Sequence, residues 1–132
     1  MISLRLPIDP VPASRPRVTR WGTYYGKRHQ AFRVEALALL EKLREEGILP
    51  KEPSPEKLTV IVAFKVKKPR TSKLVTPRGD IDNYSKVFLD CCTGFVWRDD
   101  VQIEKLQATK AWAKDEGYID LTVLENSHES ED

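Results

Sequence analysis

The clearest pattern along the chain is an alternation of apolar and polar positions. Ile2, Leu4, Leu6 and Ile8 share one face of an extended segment, which predicts a half-buried strand over Ile2–Ile8. Leu58–Val66 is apolar and β-branched and predicts a strand central in its sheet. Val101–Lys114 alternates at Val101, Ile103 and Lys105, and Tyr118–Leu124 puts Ile119, Leu121 and Val123 on one face. Asp115-Glu116-Gly117 reads as a tight turn, so these last two strands are expected to form a hairpin. Elsewhere the period is helical. Phe32, Ala36, Leu39, Leu40 and Leu43 predict a helix of roughly Arg28–Glu46, capped at Gly47. Tyr84, Val87, Phe88 and Cys91 share the buried face of a shorter helix from about Asn83 to Cys92. Prolines keep Asp9–Gly26 extended or irregular, and Lys67–Gly79 is a long loop punctuated by Pro69, Pro77 and Gly79. The order β–α–β–α–β–β predicts an α+β fold, with the helices packed on a small mixed sheet.

Composition narrows the class. At 132 residues the chain is expected to form one domain over residues 1–124, followed by an acidic, disordered tail at 125–132. No apolar run approaches the ~20 residues of a membrane span. Arg5, Pro7, Asp9 and Pro10 interrupt the N-terminal segment and argue against a secretory signal. Cys91 and Cys92 are adjacent, a poor geometry for a structural disulfide. They read as reduced thiols near the core of a cytoplasmic protein. With His29 and His128 the only histidines, no zinc pattern exists. His29 is expected to be a surface or phosphate-contacting residue rather than a metal ligand.

A net charge of +2 conceals strong segregation. Arg15, Arg17, Arg20, Lys27, Arg28 and Arg33 lie in a stretch without acids, and so do Lys65, Lys67, Lys68, Arg70, Lys73 and Arg78. Two cationic segments of this kind imply a surface that faces a polyanion.

Between and beyond them the acids gather. Asp80 and Asp82 follow Gly79, Lys86 comes four residues after Asp82, and Asp90, Asp99 and Asp100 follow. Hard oxygen ligands in that density suit Mg²⁺. Lys86, one helical turn beyond Asp82, is placed to hold a scissile phosphate, position a water or offset charge developing on phosphorus. The same residues also fit a plainer reading, with Asp82 as a helix N-cap and Asp82–Lys86 as a surface ion pair. A calcium loop is excluded, since Ser85 stands where glycine is needed and Cys91 where a bidentate glutamate belongs. No phosphate-cradling lysine loop and no dinucleotide fingerprint occur, so no nucleotide cofactor is expected.

Gly79-Asp80-Ile81-Asp82-Asn83-Tyr84-Ser85-Lys86 resembles the Asp-x-Asp-Asn-x-x-Lys core of the RusA family of Holliday junction resolvases. Phe95-Val96-Trp97-Arg98-Asp99-Asp100-Val101-Gln102 resembles the acidic turn that follows it, and Pro12-Ala13-Ser14-Arg15-Pro16-Arg17 an N-terminal Arg/Pro segment. The resemblance spans most of residues 2–124. It implies that Asp80, Asp82 and Asp100 bind Mg²⁺ (with Mn²⁺ as a substitute), Asp99 being the alternative to Asp100, and that Lys86 is catalytic. It also implies cleavage of four-way branched DNA by paired symmetric nicks, during recombination and repair, from a homodimer. Arg15, Arg17, Arg20 and Lys27 would form one phosphate rail, and Lys67, Lys68, Arg70, Lys73 and Arg78 a second. Trp21, Tyr24 and Tyr25 are available either for base stacking or for packing, whereas Trp97 and Trp112 read as core or interface. Two competing readings are a non-catalytic nucleic-acid-binding module with a structural divalent-ion site and a plain interaction domain. No membrane association is expected.

Overall fold

A computed structural model describes residues 1–127. The chain runs β1 (Ile2–Leu6), β2 (Arg17–Thr19), β3 (Gly22–Tyr24), α1 (Lys27–Glu45), β4 (Leu58–Lys67), α2 (Ile81–Cys92), a 3-10 turn (Asp100–Gln102), β5 (Ile103–Ala113) and β6 (Tyr118–Glu125). The fold is α+β, as expected, with both helices against a mixed four-stranded sheet of order β1-β6-β4-β5. A two-stranded hairpin, β2–β3, stands apart from that sheet. It lies in the segment expected to be irregular, and every residue of both strands is exposed.

The expected pairing of the last two strands does not occur. β4 lies between them, parallel to β5 and antiparallel to β6. Leu58, Val60, Val62 and Phe64 are all essentially inaccessible to solvent, so β4 needs hydrogen-bonding neighbours on both edges. The turn after β5 therefore steps over the end of β4 instead of reversing inside a ladder. Lys67 Nζ, at that end, meets Glu116 Oε1 at 3.0 Å, and the Lys67 N–H donates to Asp9 Oδ1 at 2.8 Å.

The buried face of the sheet is built from Leu6, the four β4 residues, Ile119, Leu121 and Val123. Phe32, Ala36 and Leu40 of α1 and Tyr84, Val87, Phe88 and Cys91 of α2 close over it. Phe64 sits at the centre, 5.6 Å from the Tyr84 ring and 5.9 Å edge-on from Phe88. The other face is polar, where Arg5 pairs with Asp120 at 2.7 Å and covers the Tyr118 ring at 3.9 Å. Helix α1 stops at Gly47, whose φ of +78° lets the Ile48 N–H return to the Leu43 carbonyl at 2.9 Å.

Cys91 and Cys92 are free and buried, as expected. Burial pushes the Cys91 thiol up to about 11 and raises the Cys92 thiol well above its ordinary value, which keeps both protonated. Trp97 is fully buried, with its indole N–H on Thr93 Oγ1 at 3.0 Å. Part of the expected tail belongs to the sheet. Glu125 ends β6, and Asn126 donates its N–H to the Lys57 carbonyl at 2.8 Å. Residues 128–132 lie outside the described residues.

Phe88 is fully buried against Phe64, so Phe88→Ala is expected to lower stability by about 3–5 kcal/mol, read as a lower urea midpoint.

Candidate functional site

Helix α2 begins two residues earlier than its apolar spacing indicated. Asp80 is the N-cap, in extended conformation (φ −67°, ψ 141°), and Asp82 lies in the first turn. Asp82 is therefore not the cap. The Asp80 side chain makes no capping hydrogen bond either. Among the described residues neither carboxylate has a hydrogen bond or an ion pair. The positive end of the helix dipole favours both charges.

What fixes this helix start is the loop before it. The Lys110 ammonium, reaching across from β5, donates to the carbonyls of Pro77 and Gly79 at 2.8 and 2.7 Å. The Trp112 indole N–H holds the Leu74 carbonyl at 2.9 Å. A Cβ on Gly79 would lie 2.8 Å from the Tyr84 ring, so glycine is required by close approach to an aromatic face. On the other side, the Ala13 N–H donates to the Asn83 carbonyl at 2.9 Å.

Asp82, Lys86 and Asp90 follow one another at i, i+4 and i+8 along one exposed face of α2. Lys86 and Asp90 line a cavity of about 540 Å³, together with Ser14, Tyr25, His29, Arg33 and Asp100. Arg33 is paired with Asp90. Lys86 has no partner among the described residues.

Asp100 reaches this cavity because Gln102 holds its turn. Gln102 is buried, and its Oε1 accepts the N–H groups of Arg98 and Asp99, each at 2.8 Å. Its Nε2 donates to the carbonyls of Ser54 and Glu56 at 2.7 and 2.8 Å. Asp99 completes a capping box with Gln102 and accepts the Val101 N–H at 3.0 Å. Of the two adjacent acids, Asp99 is thus the cap and Asp100 the cavity residue. The Val101 N–H, then the Asp100 carboxyl, hold Asp99 below its usual range. The neighbouring Asp99 carboxyl, followed by desolvation and the charges of Asp99 and Asp90, pushes Asp100 up.

The structure thus brings Lys86 and Asp100 to one cavity and leaves Asp80 and Asp82 at the helix start. Six helical residues, the separation of Asp80 and Lys86, rise about 9 Å. Among the described residues no three Asp, Glu, His or Cys side chains are gathered as a metal shell. The donor chemistry nevertheless suits a hard divalent cation, since Asp80, Asp82 and Asp100 are exposed carboxylates free of ion pairs.

The basic segments flank this region. Lys67, Lys68, Arg70 and Arg78 line a second cavity of about 640 Å³, joined there by Arg28 and Trp112. Arg15, Arg17 and Lys27 line a third of about 340 Å³, which shares Ser14 and Tyr25 with the first. Arg20 lies over the Trp21 ring at 4.7 Å, at the tip of the β2–β3 hairpin. Lys73 is exposed on the loop and lines none of these cavities.

Sequence reasoning passed over Gln102, Lys110 and the buried position of His29. Asp99-Asp100-Val101-Gln102 does carry a capping-box spacing. His29 falls on the apolar stripe of Phe32, Ala36 and Leu40, which marks it as inward-facing. It is buried, not a surface residue. Lys110 carries no such signal, because its role depends on a loop more than thirty residues away.

Exposed carboxylates and a lysine without a partner among the described residues lie close to cavities lined by basic residues, a nuclease-like layout. The family model of endodeoxyribonuclease RusA matches residues 7–123, and the chain belongs to that family. No curated protein matches it. Among the described residues no helix is long and apolar enough to cross a membrane.

Lys110→Met removes a charged donor from two carbonyls. The expected result is a loss of about 1–3 kcal/mol in stability and faster proteolytic cleavage within residues 68–80, read by urea denaturation and limited proteolysis.

Proposed function

We propose that this protein is a divalent-cation-dependent endonuclease that resolves four-way DNA junctions as a homodimer, through paired symmetric nicks. The observation that carries this reading is the unpaired run of Asp80, Asp82 and Lys86 at the start of α2, set between two cationic cavities in a chain of the RusA family. Asp80 and Asp82 at the start of α2, and Asp100 in the Lys86 cavity, are the carboxylates that would bind Mg²⁺ or Mn²⁺, although among the described residues they are not gathered as one shell. The chemistry a bound ion supplies is polarisation of a phosphoryl oxygen and a water nucleophile at neutral pH.

The chain's own residues do the rest. Lys86, with no acidic partner to neutralise it, donates to a non-bridging phosphate oxygen and offsets the charge that develops there. Arg15, Arg17 and Lys27 on one side and Lys67, Lys68, Arg70 and Arg78 on the other track the phosphates of the arms. Two opposed strands must be cut for resolution, and a two-fold dimer places two identical sites symmetrically on the junction.

Loss of an outer-shell partner in a metal site typically costs about 10–100-fold, so loss of a ligand should cost more. Asp82→Asn is therefore expected to slow Mg²⁺-dependent cleavage of a labelled four-way junction by more than about a hundredfold, with binding retained in a gel-shift assay. Normal cutting by that variant, or by wild type in EDTA, would refute the mechanism. Replacing Arg15 and Arg17 together by alanine should flatten the slope of log affinity against log salt by about 0.9 for each phosphate no longer neutralised. An unchanged slope would remove that rail from the interface.

A further inference from the structure

The cavity that Lys86 lines is also lined by a histidine whose tautomer the backbone dictates. His29 is the third residue of α1, and only 6% of it is exposed. Its Nδ1 accepts the Ser14 N–H at 3.1 Å and lies 3.2 Å from Ser14 Oγ. A backbone N–H can only donate, so Nδ1 must present its lone pair. Ser14 Oγ already accepts the Gly26 N–H at 3.0 Å, which leaves its own proton free to point at the same nitrogen. The neutral ring therefore carries its proton on Nε2.

That Nε2–H group has no partner within the described residues. It is not sealed in either, since no buried side-chain polar atom among them lacks a hydrogen bond. The ring lines the cavity of about 540 Å³, so that cavity is where the N–H opens. The Tyr25 ring, 4.5 Å away and tilted by 41°, backs the imidazole. Burial first, then the Arg33 and Lys86 charges, oppose a second proton on the ring, with Asp90 acting the other way.

We propose that His29 is a phosphate-positioning residue, a neutral N–H donor that works beside Lys86 on the substrate's phosphodiester. The proposal rests on the reading of DNA as substrate. Arg33 is paired with Asp90, and the donors without a partner among the described residues that line this cavity include the Lys86 ammonium and the His29 N–H. Non-bridging phosphate oxygens are acceptors only, and two donors lining one cavity suit them. A ring fixed as a neutral donor adds a hydrogen bond without adding a third cation beside Arg33 and Lys86. The same strap that sets the tautomer also binds α2, through the Ala13 N–H on the Asn83 carbonyl. The donor and the lysine are thus held in register.

The test combines spectroscopy with cleavage. In a long-range ¹H–¹⁵N correlation spectrum of the full chain, His29 should show a protonated Nε2 and a bare Nδ1. A four-way junction added in EDTA should shift the Nε2–H resonance. His29→Ala and His29→Asn should cut at least about tenfold more slowly in single turnover. His29→Gln, whose amide N–H can occupy the Nε2 position, should recover most of the rate. A bare Nε2, an unmoved resonance with the junction, or a wild-type rate in His29→Ala would each overturn the proposal. If the alanine variant fails to fold, the spectrum and His29→Gln decide. If wild type cuts no junction while DNA still shifts the Nε2–H, the donor role stands and the resolvase reading fails.

Discussion

Strand β4 must be hydrogen-bonded along both edges, and most of the architecture follows from that requirement. Its ten residues carry Leu58, Val60, Val62 and Phe64 on one buried face, where no water can satisfy a bare backbone. β6 takes one edge antiparallel and β5 the other parallel. A parallel neighbour cannot be reached by a tight turn, so the chain must travel back along the sheet before β5 begins. Helix α2 makes that return journey and buries its apolar face on the way. Twelve helical residues rise about 18 Å, whereas a ten-residue strand spans about 33 Å. The difference is taken up by the loop of residues 68–80 and the turn of residues 93–102. Those are the two segments that deliver Asp80 and Asp100. The acids thus sit at the two joints that a parallel crossover cannot avoid.

Flexible joints hold functional groups poorly unless something else pins them, and each here has its own clamp. Lys110 pins the loop before α2 by its carbonyls. Gln102 pins the turn before β5 with a side-chain amide that uses both its acceptor and its donor twice. Ala13 and Ser14 tie the first turn of α2 to the start of α1. All three clamps act mainly on backbone groups. They fix where the chain goes and leave the acidic and basic side chains of the site unengaged.

The sequence made some of this legible and hid the rest for physical reasons. α1, α2 and β4 are long enough for their apolar periods to stand out, and the Asp82–Lys86 spacing follows from the helical repeat. The β5–β6 pairing misled because Asp115-Glu116-Gly117 looks the same whether it closes a ladder or steps over a strand. Which of the two occurs is decided by β4, an element some fifty residues earlier in the chain. β2 and β3 are three residues each, too short for alternation to register. Gln102 meets Ser54 across a separation of 48 residues, so its bonds to that loop were invisible even where its capping spacing was not. Ser14 acts on His29 from fifteen residues away, and only the fold shows that a strap, rather than solvent, meets that ring.

Asp80, Asp82 and Lys86 stand outside the ion pairs of the surface, as do most charged side chains among the described residues. Arg5 pairs with Asp120, Arg33 with Asp90, Lys42 with Glu46, Arg44 with Glu41 and Lys67 with Glu116. Such surface pairs contribute about 0–1 kcal/mol each, so stability alone would hardly select for or against them. Yet Asp80, Asp82 and Lys86 pair with none of the described residues, although Asp82 and Lys86 stand one helical turn apart. The helix dipole contributes about 0.3–1 kcal/mol for an acid in the first turn, which accounts for tolerance of the two aspartates. It does nothing for Lys86, the sixth residue of the helix and beyond the first turn within which the dipole acts. Lys86 thus lines a cavity whose other cation, Arg33, is already paired with Asp90, and it is itself without a partner among the described residues. On the proposed reading the anion it meets is a phosphodiester, guided by the residues of the neighbouring cationic cavities.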